Sequence, residues 1–269
     1  MSDMHPLDQA LALRQGNPNT FNGRFTPAYG NMVGPYGGAI AAAMLNAALQ
    51  HADRRGDPLS LTVNYAAPIA DADFDIEVQL TRNNRSTQHF NMTLMQAGEI
   101  AITASCIFAS RRDSWSDTEA TAPEARAFES MSSLPTQGFP AWVANYDMRL
   151  LKGMLTLQPE QATDDSTSLL WVRDKPPRPL DFLSLTAISD CFFPRIFLRR
   201  QQLVPTGTIT LTTYFHVDAA TLAKQGDAPV LAQARANRFN LGYFDQSACL
   251  WGSDGELLAT SHQLVYFKA

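Results

Sequence analysis

GELLATSHQLV, from Gly255 to Val265, repeats in outline GEIAITASCIF, from Gly98 to Phe108, and that repetition decides how the chain folds. Each copy starts at a Gly-Glu turn, alternates like a strand with one buried face, and closes a run of strands. In front of the first copy stand LSLTVNYAAPI, DFDIEVQLTRNN and RSTQHFNMTLMQ. In front of the second stand TGTITLTTYFHVD, PVLAQARANRFN and LGYFDQSACLWGSDG. Turn residues separate these segments, as expected of antiparallel meanders. A helical stretch precedes each set, so the pattern predicts an α+β chain of two units. Such units can pair edge to edge and bury their helices behind one extended sheet.

The two helices differ in kind. GPYGGAIAAAMLNAALQHADRR, from Gly34 to Arg55, carries small apolar residues at helical spacing, which lets a sheet approach closely. Gly37 and Gly38 stand at its start, where they permit a tight turn and where free N–H groups can receive an anion or a polarised oxygen. LDFLSLTAISDCFFPRIFLRR, from Leu180 to Arg200, is apolar on nearly every side and reads as an enclosed helix kinked or ended at Pro194. Asp190 lies in its middle. A carboxylate in that company needs a partner or a task, and capping a second short helix from about Cys191 is the alternative.

Upstream, Met4 to Gln15 reads as a short amphipathic helix, and NTFNGRFTPAYGN as strand material with a turn at Asn22-Gly23. AWVANYDMRLLKG and SLLWVRD read as strands opening the second unit. Residues 113 to 140 are rich in Ser, Thr, Glu, Ala and Pro without a period, so they serve as a linker between units 1–112 and 141–269.

Comparison of the copies separates structure from chemistry. Ile100, Ile102, Ala104, Cys106 and Phe108 share one wholly apolar face of the first closing strand. On the matching face of the second, Gln263 stands where the first has Cys106. A buried amide without partners costs about 1 to 3 kcal/mol. With Asp190 in the second helix and no acid between Tyr36 and Gln50 in the first, polar groups concentrate in one half. That concentration fits a single site, or else a private hydrogen-bonded pair that fixes packing.

Bulk properties exclude several classes. A chain of 269 residues with net charge -5 has no general pull toward nucleic acid or anionic lipid. No apolar run reaches membrane-spanning length, and the N-terminus lacks the blocks of a signal peptide, so a cytoplasmic protein is expected. Three scattered cysteines among apolar neighbours build neither a disulfide framework nor a zinc site. The five histidines show no metal-ligand spacing, and no metal or organic cofactor is expected.

The order of YGGAIAAAMLNAAL, a meander, a linker, LLWVRDKPPRPLDF, AISDCFFP, TGTITLTTYFH and LLATSHQ resembles the acyl-CoA thioesterase II family of tandem hotdog proteins. The resemblance spans nearly the whole chain. It implies a double hotdog fold, in which each unit wraps an antiparallel sheet around a central helix. It further implies hydrolysis of acyl-CoA, with Asp190, Thr208 and Gln263 at the family's acid, hydroxyl and amide positions around a water. Gly37 and Gly38 would help line the substrate pocket, and two such chains would form a dimer. The segment after YFH, VDAATLAK, departs from the basic, proline-containing one usual in the family. Arg195, Arg199 and Arg200 are then candidates for the CoA phosphates, or else a solvated helix end. Strict alternation turns Thr208 away from the apolar face of its strand unless a bulge near Gly207 re-aims it. Rival readings are a hotdog enoyl-thioester hydratase or dehydratase and a non-catalytic acyl-CoA binding protein.

Overall fold

A computed structural model describes Met4 to Lys268, so residues 1–3 and 269, which the sequence reading counts into the outer ends of the two units, lie outside the described residues. The first half runs α1 (Pro6–Ala10), β1 (Leu13–Gln15), β2 (Thr20–Arg24), α2 (Gly37–Leu49), β3 (Asp57–Tyr65), β4 (Asp73–Asn83), β5 (Thr87–Gln96) and β6 (Glu99–Ala109). The second runs β7 (Tyr146–Lys152), β8 (Ser168–Asp174), α3 (Phe182–Ile188), α4 (Arg195–Arg200), β9 (Thr206–Phe215), α5 (Ala219–Gln225), β10 (Val230–Arg235), β11 (Phe239–Asn240), β12 (Tyr243–Trp251) and β13 (Leu257–Phe267). The strands form one antiparallel sheet in the order β1-β2-β4-β5-β6-β3-β9-β13-β12-β10-β8-β7, with β11 beside β12.

That order is a palindrome of roles. Each half contributes its strands in the same internal sequence, and the halves meet where β3 pairs with β9. At the seam Thr62 lies opposite Thr212, their hydroxyls 3.0 Å apart. Edge pairing of this sort removes two strand edges that would otherwise stay open. The architecture is the α+β double hotdog, and the alternating burial of β13 and of β6 from Ile102 onward matches the faces read from sequence, whereas Ile100, beyond a register shift with β5, is exposed.

The helices lie behind the sheet, with α2 packed on α3. Small residues make this possible: Ala39, Ala42, Ala43, Ala47 and Ala187 are fully buried. A Cβ on Gly38 would stand 2.5 Å from the Ala187 carbonyl oxygen. Tyr36, at the start of α2, donates its hydroxyl to that same carbonyl at 2.7 Å and stacks on Trp142 at 4.3 Å. Thus the N-terminus of α2 is pinned to the C-terminus of α3.

Several local expectations are corrected. The first helix ends at Ala10, and Leu13–Gln15 is an edge strand paired with β2. Asn22 and Gly23 lie inside β2 rather than in a turn, because the Phe74 ring crosses where a side chain at Gly23 would be. The segment from Ala141 begins as a 3-10 turn and becomes strand only at Tyr146. The polar VDAATLAK segment contains α5, capped by Asp218. The long second helix is two short ones. It stops at Ile188, and α4 starts after Pro194, so Asp190 sits in the connection and caps neither. Pro194 has no N–H for the Asp190 carbonyl and disfavours helical backbone at Phe193, which accounts for the break.

Candidate active site

Asp190 owes its position to that break. Its own N–H bonds back three residues to Ala187, and the connection then leaves the helix axis, carrying the carboxylate toward the start of α2. Beneath it lies a buried hydroxyl shelf. Ser189 shares a 3.0 Å hydrogen bond with Thr213, and Ser261 donates to the Ser189 carbonyl at 3.2 Å. These contacts tie the loop to β9 and β13 and fix the direction in which Asp190 points.

Three residues converge as the sequence suggests. Gln263 on β13 is buried and donates its Nε2 to Asp190 Oδ1 at 2.8 Å. Thr208 on β9 donates its hydroxyl to Gln263 Oε1 at 3.3 Å. Its inward turn comes from a bulge. Leu264 pairs with Thr210 but Val265 with Thr208, so Ile209 is an extra residue that inverts the alternation. The bulge lies two residues past the glycine that hinted at it.

The first half completes the site, which a reading of polar residues in the second half alone missed. The Gly38 backbone N–H favours the ionised form of the Asp190 carboxyl, and a Cβ on Gly37 would stand 2.8 Å from Asp190 Oδ2. The anion received at the start of α2 is thus the protein's own. Gly37 lines a cavity beside Asp190, and its N–H has no hydrogen-bond partner among the described residues. Tyr65, another residue the sequence did not single out, donates its hydroxyl to the Gly37 carbonyl at 2.8 Å. Burial pushes the Asp190 carboxyl up to about 7, against the opposing pull of the Gln263 and Gly38 donors.

Two cavities meet at Asp190 and Thr208. One, of about 630 Å³, runs past Gly37, Tyr65, Pro68 and Tyr266. The other, of about 610 Å³, runs between Phe139, Trp142, Phe192, Phe193 and Phe244. A second buried carboxylate, Asp174, is held by Ser184 and lines neither cavity, although burial pushes it up to about 6.

The arginine cluster does not form. Arg195 is fully buried, where it donates to the carbonyls of Ser166 and Phe193 and to the Ser168 hydroxyl. Arg199 pairs with Asp164 at the surface. Among the described residues no histidine lines either cavity: His216 bonds Thr260 and His262 bonds Ser247. The acid and imidazole pair required for a hydratase is therefore missing from these walls.

Comparison with known proteins completes the description. Residues 26–109 match the profile of the acyl-CoA thioesterase N-terminal domain, and residues 116–267 that of the C-terminal domain. A protein of unknown function with a hot dog fold from Alicyclobacillus acidocaldarius is 45% identical, with 99% of each chain covered and a TM-score of 0.94. A candidate thioesterase II from Thermobifida fusca is similar at 18% identity, with 100% of each chain covered and a TM-score of 0.87. An acyl-CoA thioesterase II from Mycobacterium marinum is similar at 18% identity over 97% of this chain and 98% of its own, with a TM-score of 0.76. No curated protein matches.

Proposed function

This chain belongs to the acyl-CoA thioesterase family, and from that premise we propose that it hydrolyses acyl-CoA to free acid and CoA through a water activated at Asp190. The observation that carries the reading is a carboxyl raised to about 7 at the junction of two cavities. A general base works best when its pKa lies near the working pH. Gln263 occupies Oδ1 and leaves the rest of the carboxylate for a water, and the Thr208 hydroxyl is the second contact for that water. The Gly37 N–H, at the positive end of α2, is the donor aimed at the developing oxyanion. Collapse of the adduct expels the CoA thiolate. The aromatic cavity takes the acyl chain, and the cavity past Tyr65 and Pro68 takes the pantetheine arm. Gly37 contributes as substrate-binding backbone, and Gly38 acts by steadying the carboxylate.

The decisive assay is thiol release across a panel of acyl-CoA chain lengths. Tight binding without turnover at every length would favour a binding protein instead. The pH dependence gives a second check. Only ionised Asp190 accepts a proton, so kcat/KM should fall about tenfold per pH unit below about 7 and level off above it. A flat profile between about pH 5 and pH 9 would remove Asp190 as the base. Thr208→Val should cut kcat about tenfold with little change in KM, the worth of one hydrogen bond made in the transition state. Equal loss in kcat/KM through KM alone would place Thr208 in binding.

Finer attributes follow from the same reading. Residues 1–112 and 141–269 act as the two units and 113–140 as their connection. The protein works in the cytoplasm, in fatty acid metabolism, as a homodimer. Tyr214, Tyr243, Leu264 and Tyr266 are exposed on β9, β12 and β13, which supports association through the sheet's outer face. A monomeric mass in solution would exclude the dimer. No helix among the described residues is long and apolar enough to cross a membrane.

A further inference from the structure

Strand β12 sets Gln246 directly opposite Gln263 on β13. Both side chains are buried, at 4% and 6% exposure, and both line the aromatic cavity. Gln263 is committed to Asp190 and Thr208. Gln246 is not: its side chain makes no hydrogen bond among the described residues and opens onto the cavity. Asn31 and Gln137, the other amides on that wall, are exposed to solvent. Phe192, Phe193, Phe244 and Val265 line the same cavity with hydrocarbon. Once an acyl chain displaces water from the cavity an unpaired amide becomes costly, and a saturated chain lying against it offers nothing in return.

We propose that the cavity prefers acyl chains bearing an oxygen substituent near the thioester, and that Gln246 is the residue that recognises it. The inference rests on the hydrolytic reading of Asp190 and names the substrate class of that site. Neighbouring strands lie ~4.8 Å apart, so Gln246 stands one strand spacing beyond Gln263, beside the first carbons past the carbonyl. A hydroxyl at the third carbon both donates to the amide oxygen and accepts from its NH₂, whereas a keto oxygen only accepts. Gln246 therefore favours hydroxyacyl over oxoacyl, and both over the saturated chain. It takes no proton and acts on selectivity alone.

The test compares kcat/KM for both enantiomers of 3-hydroxyacyl-CoA with saturated acyl-CoA of equal length. The wild-type chain is measured beside Gln246→Met, which is close in size and lacks the amide. The expected result is a preference of about tenfold or more for one hydroxyacyl enantiomer, abolished in Gln246→Met through loss on that substrate while the saturated chain is processed as well or better. Equal kcat/KM in the wild type would overturn the proposal, as would equal loss on both substrates in the variant. Should Gln246→Met melt early, Gln246→Leu replaces it. Calorimetric Kd values for the same substrates on Asp190→Asn separate the two ideas. Absence of turnover with a tenfold binding preference would sink hydrolysis and keep Gln246 as the selector; equal binding would sink the selector whatever the turnover.

Discussion

Asp190→Asn is expected to lower kcat by about 10²- to 10⁴-fold and, at neutral and alkaline pH, to raise the melting temperature. The two effects share one cause. The folded carboxyl titrates at about 7 and the free one at 3.8, so between those values the folded chain holds a proton that the unfolded chain releases. Stability therefore falls as pH rises from about 4 to about 7, and the full penalty is present above that. The displacement corresponds to at most about 4 kcal/mol, reduced because Asp190 keeps some solvent contact. Asn carries no charge to desolvate, but it also faces the Gly38 N–H with an amide that accepts through one atom only, which offsets about 1 kcal/mol. A net gain of a few degrees at about pH 8, shrinking toward about pH 4, is the signature. Thermal melts across pH, run beside thiol release, check it. Retained turnover with a pH-independent difference would remove Asp190 from the chemistry.

Gly38→Ala should damage both stability and turnover. Its Cβ would stand 2.5 Å from a backbone carbonyl and 2.7 Å from the Tyr36 ring, and a backbone atom on one side leaves little room to give. Either α2 separates from α3, or the Tyr36–Ala187 bond breaks. A loss of about 2 to 4 kcal/mol in stability is expected from such overpacking. The donor to Asp190 moves with the helix start. Losing a hydrogen bond to the ionised form raises the carboxyl further, so the shoulder of the pH profile moves to higher pH and kcat at neutral pH falls about tenfold or more. Gly98→Ala is the control. That residue has φ +83° and open space around it, so Ala costs only about 1 kcal/mol of backbone strain and leaves turnover intact. If both variants behave alike, the closeness of Gly38 to α3 is not what the site depends on.

Much of the architecture could be read from residues because alternation and repetition are local signals. The contrast of Cys106 with Gln263 needed only two segments of one chain, and it located an amide that does reach a carboxylate. What escaped was non-local or carried no residue signature. The bulge at Ile209 has no glycine of its own, so alternation turned Thr208 outward until pairing with Val265 reversed it. Asp190 read as part of a helix because nothing between Ile188 and Pro194 in the apolar run signals a stop. The resemblance places Gly38 at the substrate pocket and not beside Asp190, and the sequence does not single out Tyr65; both reach the site from more than a hundred residues away, a contact no short window contains. Arg195 looked like a solvated helix end because charge usually seeks water. Carbonyls of three segments instead enclose it, and burial lowers its guanidinium to about 9.

The join at β3 and β9 also bears on inheritance. Asp190 lies in the later repeat, and the Gly38 amide that favours its ionised form lies in the earlier one. On the hydrolytic reading neither repeat would work alone, and a substitution in one would be felt as a defect of the other. The two copies are thus unequal: the mirrored position around Cys106 is plain hydrocarbon, and the centre exists only where both halves are present together.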